Sequence, residues 1–155
     1  MQREQIQRAL VGCEFFDGFD KTVIEKVSLL CWERSFAIGE YVFHQGDFGE
    51  HLYIVAEGQV CLERSVNLGS RKGSIPIESL GKGRVLGSWS TLLDQRHVLM
   101  SSAVCEKPTQ LLVIRGADLR YLMLSDKNLG FALLEKFCFL LKDRIQAAYG
   151  AMEKI

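Results

Sequence analysis

Residues 36–47 of this chain read FAIGEYVFHQGD, and two stretches of similar design follow, LYIVAEGQV at 52–60 and LGKGRVLG at 80–87. Each stretch joins a short apolar or alternating run to a glycine turn, a pattern typical of short strands linked by tight reversals. Glycine has no Cβ atom and adopts positive φ at little cost, which suits such turns. The region 35–115 therefore predicts an all-β roll.

The glycine turns also predict where the individual strands begin and end. They are predicted at Tyr41–His44, Leu52–Glu57, Gln59–Val66, Ser74–Leu80, Val98–Glu106 and Gln110–Arg115. Side chains alternate between the two faces of a strand, so alternate residues of these segments are expected to point into the roll.

Helical spacing flanks the strand-rich region on both sides. Helices are predicted at Arg3–Gly12, Lys21–Trp32, Asp118–Leu124 and from Leu129 to the end, with Asp20 capping the second. The expected fold is mainly β with flanking helices: a double-stranded β-roll, jelly roll or cupin-like in architecture, with N-terminal helices and a long C-terminal helix. We expect one domain over 1–155, with N-terminal helices at 1–34, the β-roll at 35–115 and C-terminal helices at 116–155.

The last predicted helix carries two apolar series in which successive residues are seven apart. The expected dimer seam is Phe131, Leu134, Cys138, Leu141, Ile145, Ala148 and Met152. A second set lies to one side: Leu133, Phe137, Leu140 and Arg144. One face of the helix can then pack on the roll while the seam meets a second copy. The alternative is one wide stripe that faces the core alone.

Composition excludes several function classes. Basic and acidic residues balance at 19 each, so no basic stripe for non-specific nucleic-acid or membrane binding is written in the sequence. The five cysteines form no CxxC pair and are expected to be reduced. The polar N-terminus predicts neither a signal peptide nor a membrane span, so we expect a cytoplasmic protein.

The three glycine-turn stretches resemble, in order and spacing, the cyclic-nucleotide-binding domain of the catabolite activator protein family and of cyclic-nucleotide-dependent kinases and channels. The resemblance runs from about Phe15 to the final helix. It implies a β-roll that holds a small-molecule effector in a pocket.

The resemblance also implies where that effector binds. In the family a Gly-Glu pair opens a short helix, the glutamate binds the ribose hydroxyl, and a later arginine binds the phosphate. Here Gly87 matches the glycine, Ser88 replaces the glutamate, and Leu99 falls at the arginine position. Losing such a charge pair typically costs several kcal/mol of binding, so altered or lost affinity for cyclic mononucleotides is expected. The candidate ligand-binding residues are Leu86, Gly87, Ser88, Trp89, Ser90, Arg96, Leu99, Met100, Ser101 and Ser102.

Two alternatives remain open within this segment. Arg96 reaches the arginine position if the loop is shifted by three residues, which would require a compensating bulge in the next strand. The indole of Trp89 either stacks on a base or plugs the pocket. Backbone N–H groups of residues 87–90 remain available to a small anion in either case.

No metal ligands or catalytic residues are predicted. His44 and His51 are not spaced as the paired histidines of a cupin metal site, and no serine lies in a nucleophile elbow. In a haem-sensing variant a Cys or His would be an axial ligand, but nothing in the sequence around Cys61, His51 or His97 marks any of them as one. A metal-dependent cupin-like enzyme is the weakest alternative.

We expect a stand-alone, non-catalytic, effector-sensing regulatory module. The alternative is a degenerate interaction or dimerisation module whose pocket is closed by Trp89, Leu99 and Met100. The expected partners are a small-molecule effector, a second copy of the chain and a downstream protein that the sequence does not identify. The sequence ends at Ile155, before the residues a helix-turn-helix reader would need, so direct nucleic-acid binding is not expected. The sequence identifies no cofactor with certainty, and a cyclic nucleotide or other small anionic ligand is the candidate.

Overall fold

The computed structural model describes residues 1–87 and 89–154. The helices are α1 (Arg3–Val11), α2 (Lys21–Ser28), α3 (Trp89–Leu93), α4 (Gly116–Ser125) and α5 (Lys127–Met152). The strands are β1 (Cys31–Phe36), β2 (Tyr41–Phe43), β3 (Phe48–Gly49), β4 (His51–Glu57), β5 (Val60–Asn67), β6 (Lys72–Leu80), β7 (Val85–Leu86), β8 (His97–Val98), β9 (Ser102–Cys105) and β10 (Thr109–Arg115).

Most of the strands belong to two antiparallel sheets, which together form the roll. One sheet has the order β1-β10-β4-β7 and the other β2-β9-β5-β6, while β3 pairs with β8. The predicted β-roll, with N-terminal helices and a long C-terminal helix, is confirmed. Within the described residues no helix combines the length and apolar character needed to cross a bilayer.

The central strands β4 and β10 are buried on both faces. Leu111 and Val113 of β10 point between the sheets, whereas Leu112 and Ile114 point towards the helices. The helical side of this sheet packs against residues such as Leu10 and Phe137, which are fully buried. Burial on both faces explains why β10 reads as a continuous apolar run instead of an alternating one.

Two predicted elements were wrong in their extent. The helix predicted over Lys21–Trp32 ends at Ser28, and the chain enters β1 at Cys31, which pairs with Ile114 of β10. The roll therefore begins at Cys31 and not at residue 35. The apolar run after Ser28 fits a helix face and a buried strand equally well, and pairing with β10 decides between them.

The strand predicted over Val98–Glu106 is interrupted. Residues 99–101, between β8 and β9, are not part of a strand, and we call them the detour. The Leu99 backbone hydrogen-bonds to the turn at residues 46–47 instead of to a strand. The Leu99 N–H donates to the Asp47 carbonyl at 2.8 Å, and the Leu99 carbonyl accepts from the Gly46 N–H at 2.9 Å. This detour places Leu99, Met100 and Ser101 at the opening of the roll.

Candidate functional site

A cavity of about 570 Å³ lies between the roll and the C-terminal half of α5. We call it the α5 cavity. Its roll side is lined by Phe43, Leu62, Arg64, Val66, Ile75, Ile77, Leu86, Gly87, Trp89, Leu99, Met100 and Ser101. Its helix side is lined by Leu140, Leu141, Arg144, Ile145, Ala148, Ala151 and Met152. Small-molecule sites commonly occupy about 300–1,000 Å³, so the volume suits such a ligand.

Strand periodicity brings the roll residues to the cavity. Leu62, Arg64 and Val66 are alternate residues of β5 and share one face, and Ile75 and Ile77 do the same on the adjacent β6. Arg64 is the charged member of this otherwise apolar surface.

Gly87 lies at the base of the cavity with its backbone in the left-handed region, at φ 81°. A Cβ atom there would lie 2.6 Å from the His51 carbonyl oxygen. Glycine is therefore required at this position by the backbone itself. Its presence does not depend on whether a phosphate binds beside it.

The segment between β8 and β9 forms one wall of the cavity. Leu99 is buried, Met100 is exposed, and the Met100 carbonyl accepts a hydrogen bond from the Arg64 guanidinium. Ser102 faces away from the cavity lining and accepts a hydrogen bond from the Gln45 N–H at 2.8 Å. Arg64 thus connects β5 to the detour between β8 and β9.

An ion network attaches α5 to the roll beside the cavity. One Glu78 carboxylate oxygen lies 2.9 Å from the Arg144 guanidinium of α5, and the other lies 2.9 Å from Arg84. Arg84 also lies 2.8 Å from Glu14, and Arg144 donates to the Val85 carbonyl. Burial lowers the pKa of Arg144, an effect that the charge of Glu78 partly opposes. The carboxylate of Glu78 therefore stabilises the charged form of Arg144 in a largely buried environment.

A second set of contacts joins the cavity base to α4. The Arg120 guanidinium of α4 donates to the Leu92 carbonyl at 2.8 Å, at the C-terminal end of α3. Gly116 opens α4 directly against Ser90, where a Cβ atom would lie 2.2 Å from the serine Oγ. Because α4 leads directly into α5, these contacts connect α3 to the helix that forms the other wall of the cavity.

A match to the cyclic nucleotide-binding domain family covers residues 33–126, well over half of the chain. The chain belongs to the cyclic nucleotide-binding domain family. It is 33% identical over 107 residues to the cyclic AMP receptor protein of Thermus thermophilus, covering 69% of this chain and 47% of that protein. The chain thus spans about half the length of this curated relative.

Solved structures show the same fold. A cyclic nucleotide-binding domain from Methylobacillus flagellatus aligns with TM-score 0.77 and 21% identity, covering 99% of this chain and 84% of that one. A mutant regulatory subunit of a cAMP-independent protein kinase A from Trypanosoma brucei, bound to cAMP, aligns with TM-score 0.74 and 21% identity, covering 98% of this chain and 51% of that one. At this identity the likeness concerns the fold alone.

The structure brings together most of the residues proposed as ligand contacts of this cyclic nucleotide-binding domain. Those that line the α5 cavity are Leu86, Gly87, Trp89, Leu99, Met100 and Ser101. Ser90, Arg96 and Ser102 do not line it, and Ser88 lies outside the described residues. Ser90 is buried against α4 instead.

Arg96 lies on the outer surface of the domain. Its guanidinium lies 5.0 Å from the ring centroid of Phe48 and 3.7 Å from the Glu50 carboxylate. Leu99, three residues on, is the residue that faces the cavity. Arg96 therefore offers no guanidinium to the cavity, and the assignment of Leu99 to the family's arginine position stays a prediction.

The expectation of a pocket closed by Trp89, Leu99 and Met100 was wrong. These three side chains line a cavity of about 570 Å³ and do not fill it. Met100 is 59% exposed, so it borders the opening of this cavity.

The predicted dimer seam divides between two environments. Phe131, Leu134 and Cys138 are exposed on the first half of α5. The later members, Leu141, Ile145, Ala148 and Met152, line the α5 cavity. Ile145 and Met152 are at the same time more than half exposed, so they border its opening.

Several site residues were missed by sequence reasoning. Arg64 and Glu78 lie in strands where their charges read as solvent-facing, and Arg144 was assigned only to a helix flank. An available signal was the alternation of Leu62, Arg64 and Val66, which places the arginine on the face of two apolar residues.

The histidines are dispersed. Across residues 1–87 and 89–154, no group of three or more His, Cys, Asp or Glu side chains is placed to hold a metal ion. His44 stacks on Tyr41, His51 lies beside Trp32, and His97 is buried. None of these arrangements supports the cupin-like alternative.

Proposed function

We propose that this cyclic nucleotide-binding domain is a non-catalytic sensor whose effector occupies the α5 cavity and whose response is a change in α5. One observation carries the proposal: α5 itself supplies a wall of the cavity, through residues such as Leu141 and Ala148. A ligand can shift a conformational equilibrium only if it makes different contacts in the two states. A ligand in this cavity touches α5, so its contacts would change if the helix moved.

The proposed response passes through α5 to a second copy of the chain and to a downstream protein. We propose that residues 1–155 act as one unit in this response. In support of a single unit, one apolar cluster joins Leu10 of α1, Ile54 of β4 and Phe137 of α5.

We further propose that affinity for cyclic mononucleotides is altered or lost. The family's arginine position is occupied by Leu99, whose side chain faces the cavity, and Arg96 points elsewhere. No acidic side chain belongs to the described lining. Structurally similar proteins include one named as cAMP-independent, so the shared fold leaves the ligand open.

Calorimetric titration with cyclic AMP, cyclic GMP and cyclic dinucleotides tests the affinity. Wild-type protein should bind cyclic AMP and cyclic GMP no tighter than tens of micromolar. Sub-micromolar binding of either mononucleotide would overturn this part of the proposal.

A gain-of-function variant makes that test sharper. The double substitution Ser88→Glu with Leu99→Arg restores the family's carboxylate and guanidinium, and it should tighten cyclic AMP binding by roughly a hundredfold. The matched control, Ser88→Gln with Leu99→Met, introduces side chains of similar length without charge and should leave the affinity unchanged. Equal affinities for the two double variants would contradict the assigned positions.

A homodimer through α5 is the second candidate, in combination with sensing or as the main activity. Phe131 is 69% exposed and Leu134 is 45% exposed, and both lie on the heptad-spaced seam. A second copy packed on this seam would also reach the cavity opening at Ile145. Symmetric pairing of such a face is the commonest form of soluble oligomer.

Light scattering after gel filtration tests the dimer. Wild-type protein should have twice the chain mass of 17.5 kDa, and Phe131→Glu with Leu134→Glu should yield the monomer. The control Tyr121→Glu alters an exposed aromatic residue of α4 and should leave the dimer intact. A monomeric wild-type protein would exclude this candidate.

A further inference from the structure

The chemistry of the α5 cavity indicates what kind of ligand it accepts. Its surface is built almost wholly from apolar side chains of both walls, such as Leu62, Ile77, Leu141 and Ile145. A polar group buried without a hydrogen-bond partner typically costs about 1–3 kcal/mol. A ligand with many hydroxyls or ring nitrogens would bury several such groups here, each with this unfavourable free energy. The lining therefore favours a ligand whose buried part is apolar.

The cavity is also elongated. Its helix wall runs from Leu140 to Met152, and with a rise of 1.5 Å per residue those twelve steps span roughly 18 Å. On the roll side it follows β5 from Leu62 to Val66. An apolar space bounded by a wall of this length accommodates an extended acyl chain laid along α5.

One positive charge in the lining is open to a ligand. Arg144 is paired with Glu78 and donates to the Val85 carbonyl. Arg64 donates to the Met100 carbonyl, and no described carboxylate lies within salt-bridge distance of it. Arg64 is an exposed residue at the edge of the cavity. An acidic group beside its guanidinium can therefore remain partly hydrated while the rest of the ligand is buried.

We infer that the α5 cavity binds a long-chain carboxylic acid, with the acyl chain beneath α5 and the carboxylate at Arg64. This inference rests on the proposed function, since it names the effector class of the same site. The carboxylate replaces no existing ion pair, and the guanidinium retains further N–H donors beyond the one used by Met100.

Tryptophan fluorescence offers a direct readout. The chain has two tryptophans, of which Trp89 lines the cavity and Trp32 does not. The variant Trp32→Phe therefore reports on Trp89 alone. It would be titrated with octanoate, decanoate, dodecanoate and tetradecanoate below their micelle concentrations, with calorimetry in parallel on the wild-type protein.

Chain length and head group give separate expectations. Each added pair of methylenes should tighten the Kd roughly tenfold until the chain fills the cavity. The methyl ester of the best acid should bind at least tenfold more weakly than the acid, and Arg64→Gln should abolish that difference. The matched control Arg71→Gln alters an exposed arginine outside the lining and should preserve it.

The inference would be overturned by a Kd independent of chain length, by an ester that binds as tightly as its acid, or by cyclic AMP displacing the acid at micromolar concentration. Hydrogen exchange of α5 separates this inference from the proposed function. If no acid binds but another small molecule protects residues 141–152, the inference fails and the sensor proposal stands. If acids bind with the expected pattern and α5 exchange is unchanged, the inference stands and the sensor proposal fails.

Discussion

The two halves of α5 are held by different forces. The proximal half, residues 127–140, buries Leu129, Leu133, Phe137 and Leu140 in the apolar cluster shared with the N-terminal helices. The distal half, residues 141–152, buries only Ala151 among its described side chains and spans a cavity. A close-packed interface resists small displacements, whereas an ion pair beside a cavity allows alternative arrangements. The distal half is therefore the less tightly packed part of α5, and it is the part to which we assign the proposed response.

The largest expected effect comes from the proximal half. Phe137 is fully buried and packs edge-to-face on Phe15 with ring centroids 4.4 Å apart. Phe137→Ala should lower the free energy of unfolding by about 3–5 kcal/mol, because the truncation leaves a cavity in a packed region. Urea denaturation measures the change. A loss below about 1 kcal/mol would mean that the proximal half is not packed as described.

Arg144→Met should have the next largest effect and act on the distal half. Glu78 loses one of two guanidinium partners but keeps Arg84, so a loss of about 1–3 kcal/mol is expected. Hydrogen exchange should quicken in residues 141–152 and stay unchanged in residues 129–140. The control Lys142→Met removes an exposed charge from the same helix and should alter neither quantity. Uniform exchange along α5 would break the comparison.

Ile145→Ala should cost less than about 1 kcal/mol, because this side chain is 53% exposed and borders a space that is already open. The matched variant Leu133→Ala makes a similar truncation in the proximal half, at a fully buried residue, and should cost about 2–5 kcal/mol. Equal losses in denaturant unfolding would show that the two halves are equally packed.

Acidification below neutral pH should lower the stability of the folded state through protonation of His97. Burial lowers the pKa of His97 from its ordinary value of 6.5, and neither ring nitrogen has a hydrogen-bond partner among the described residues. As the pH falls below about 6.5 the unfolded chain binds the proton first, so the folded state loses stability until its own lower pKa is reached. Thermal unfolding between pH 7 and pH 5 measures the slope.

His97→Gln should reduce that slope but not abolish it, since His97 is one of two histidines whose pKa is lowered by burial and His51 remains. His97 packs with Leu99 around Gly49, so the loosening is expected at the roll wall of the cavity and not at the proximal half of α5. A variant with the wild-type slope would place the pH dependence in other groups.

Local sequence patterns were sufficient for the roll and for the positions of most helices. Glycine turns and alternating runs specify strands because backbone conformation and side-chain direction are local properties. Resemblance to the family also led to Gly87, Leu99 and Met100 as wall residues. The same local patterns failed after Ser28, where an apolar run fits either a helix or a buried strand.

The sequence by itself determined the fold family, while the replacement of the family's two charged residues by Ser88 and Leu99 stays a prediction. Tertiary structure alone decided that Arg96 does not face the cavity and that Glu78 holds Arg144 of α5 to the roll. These facts depend on residues far apart in the chain, such as Glu78 and Arg144, meeting across two elements. No periodicity within either segment encodes that meeting, because it arises only when the sheet and helix pack together.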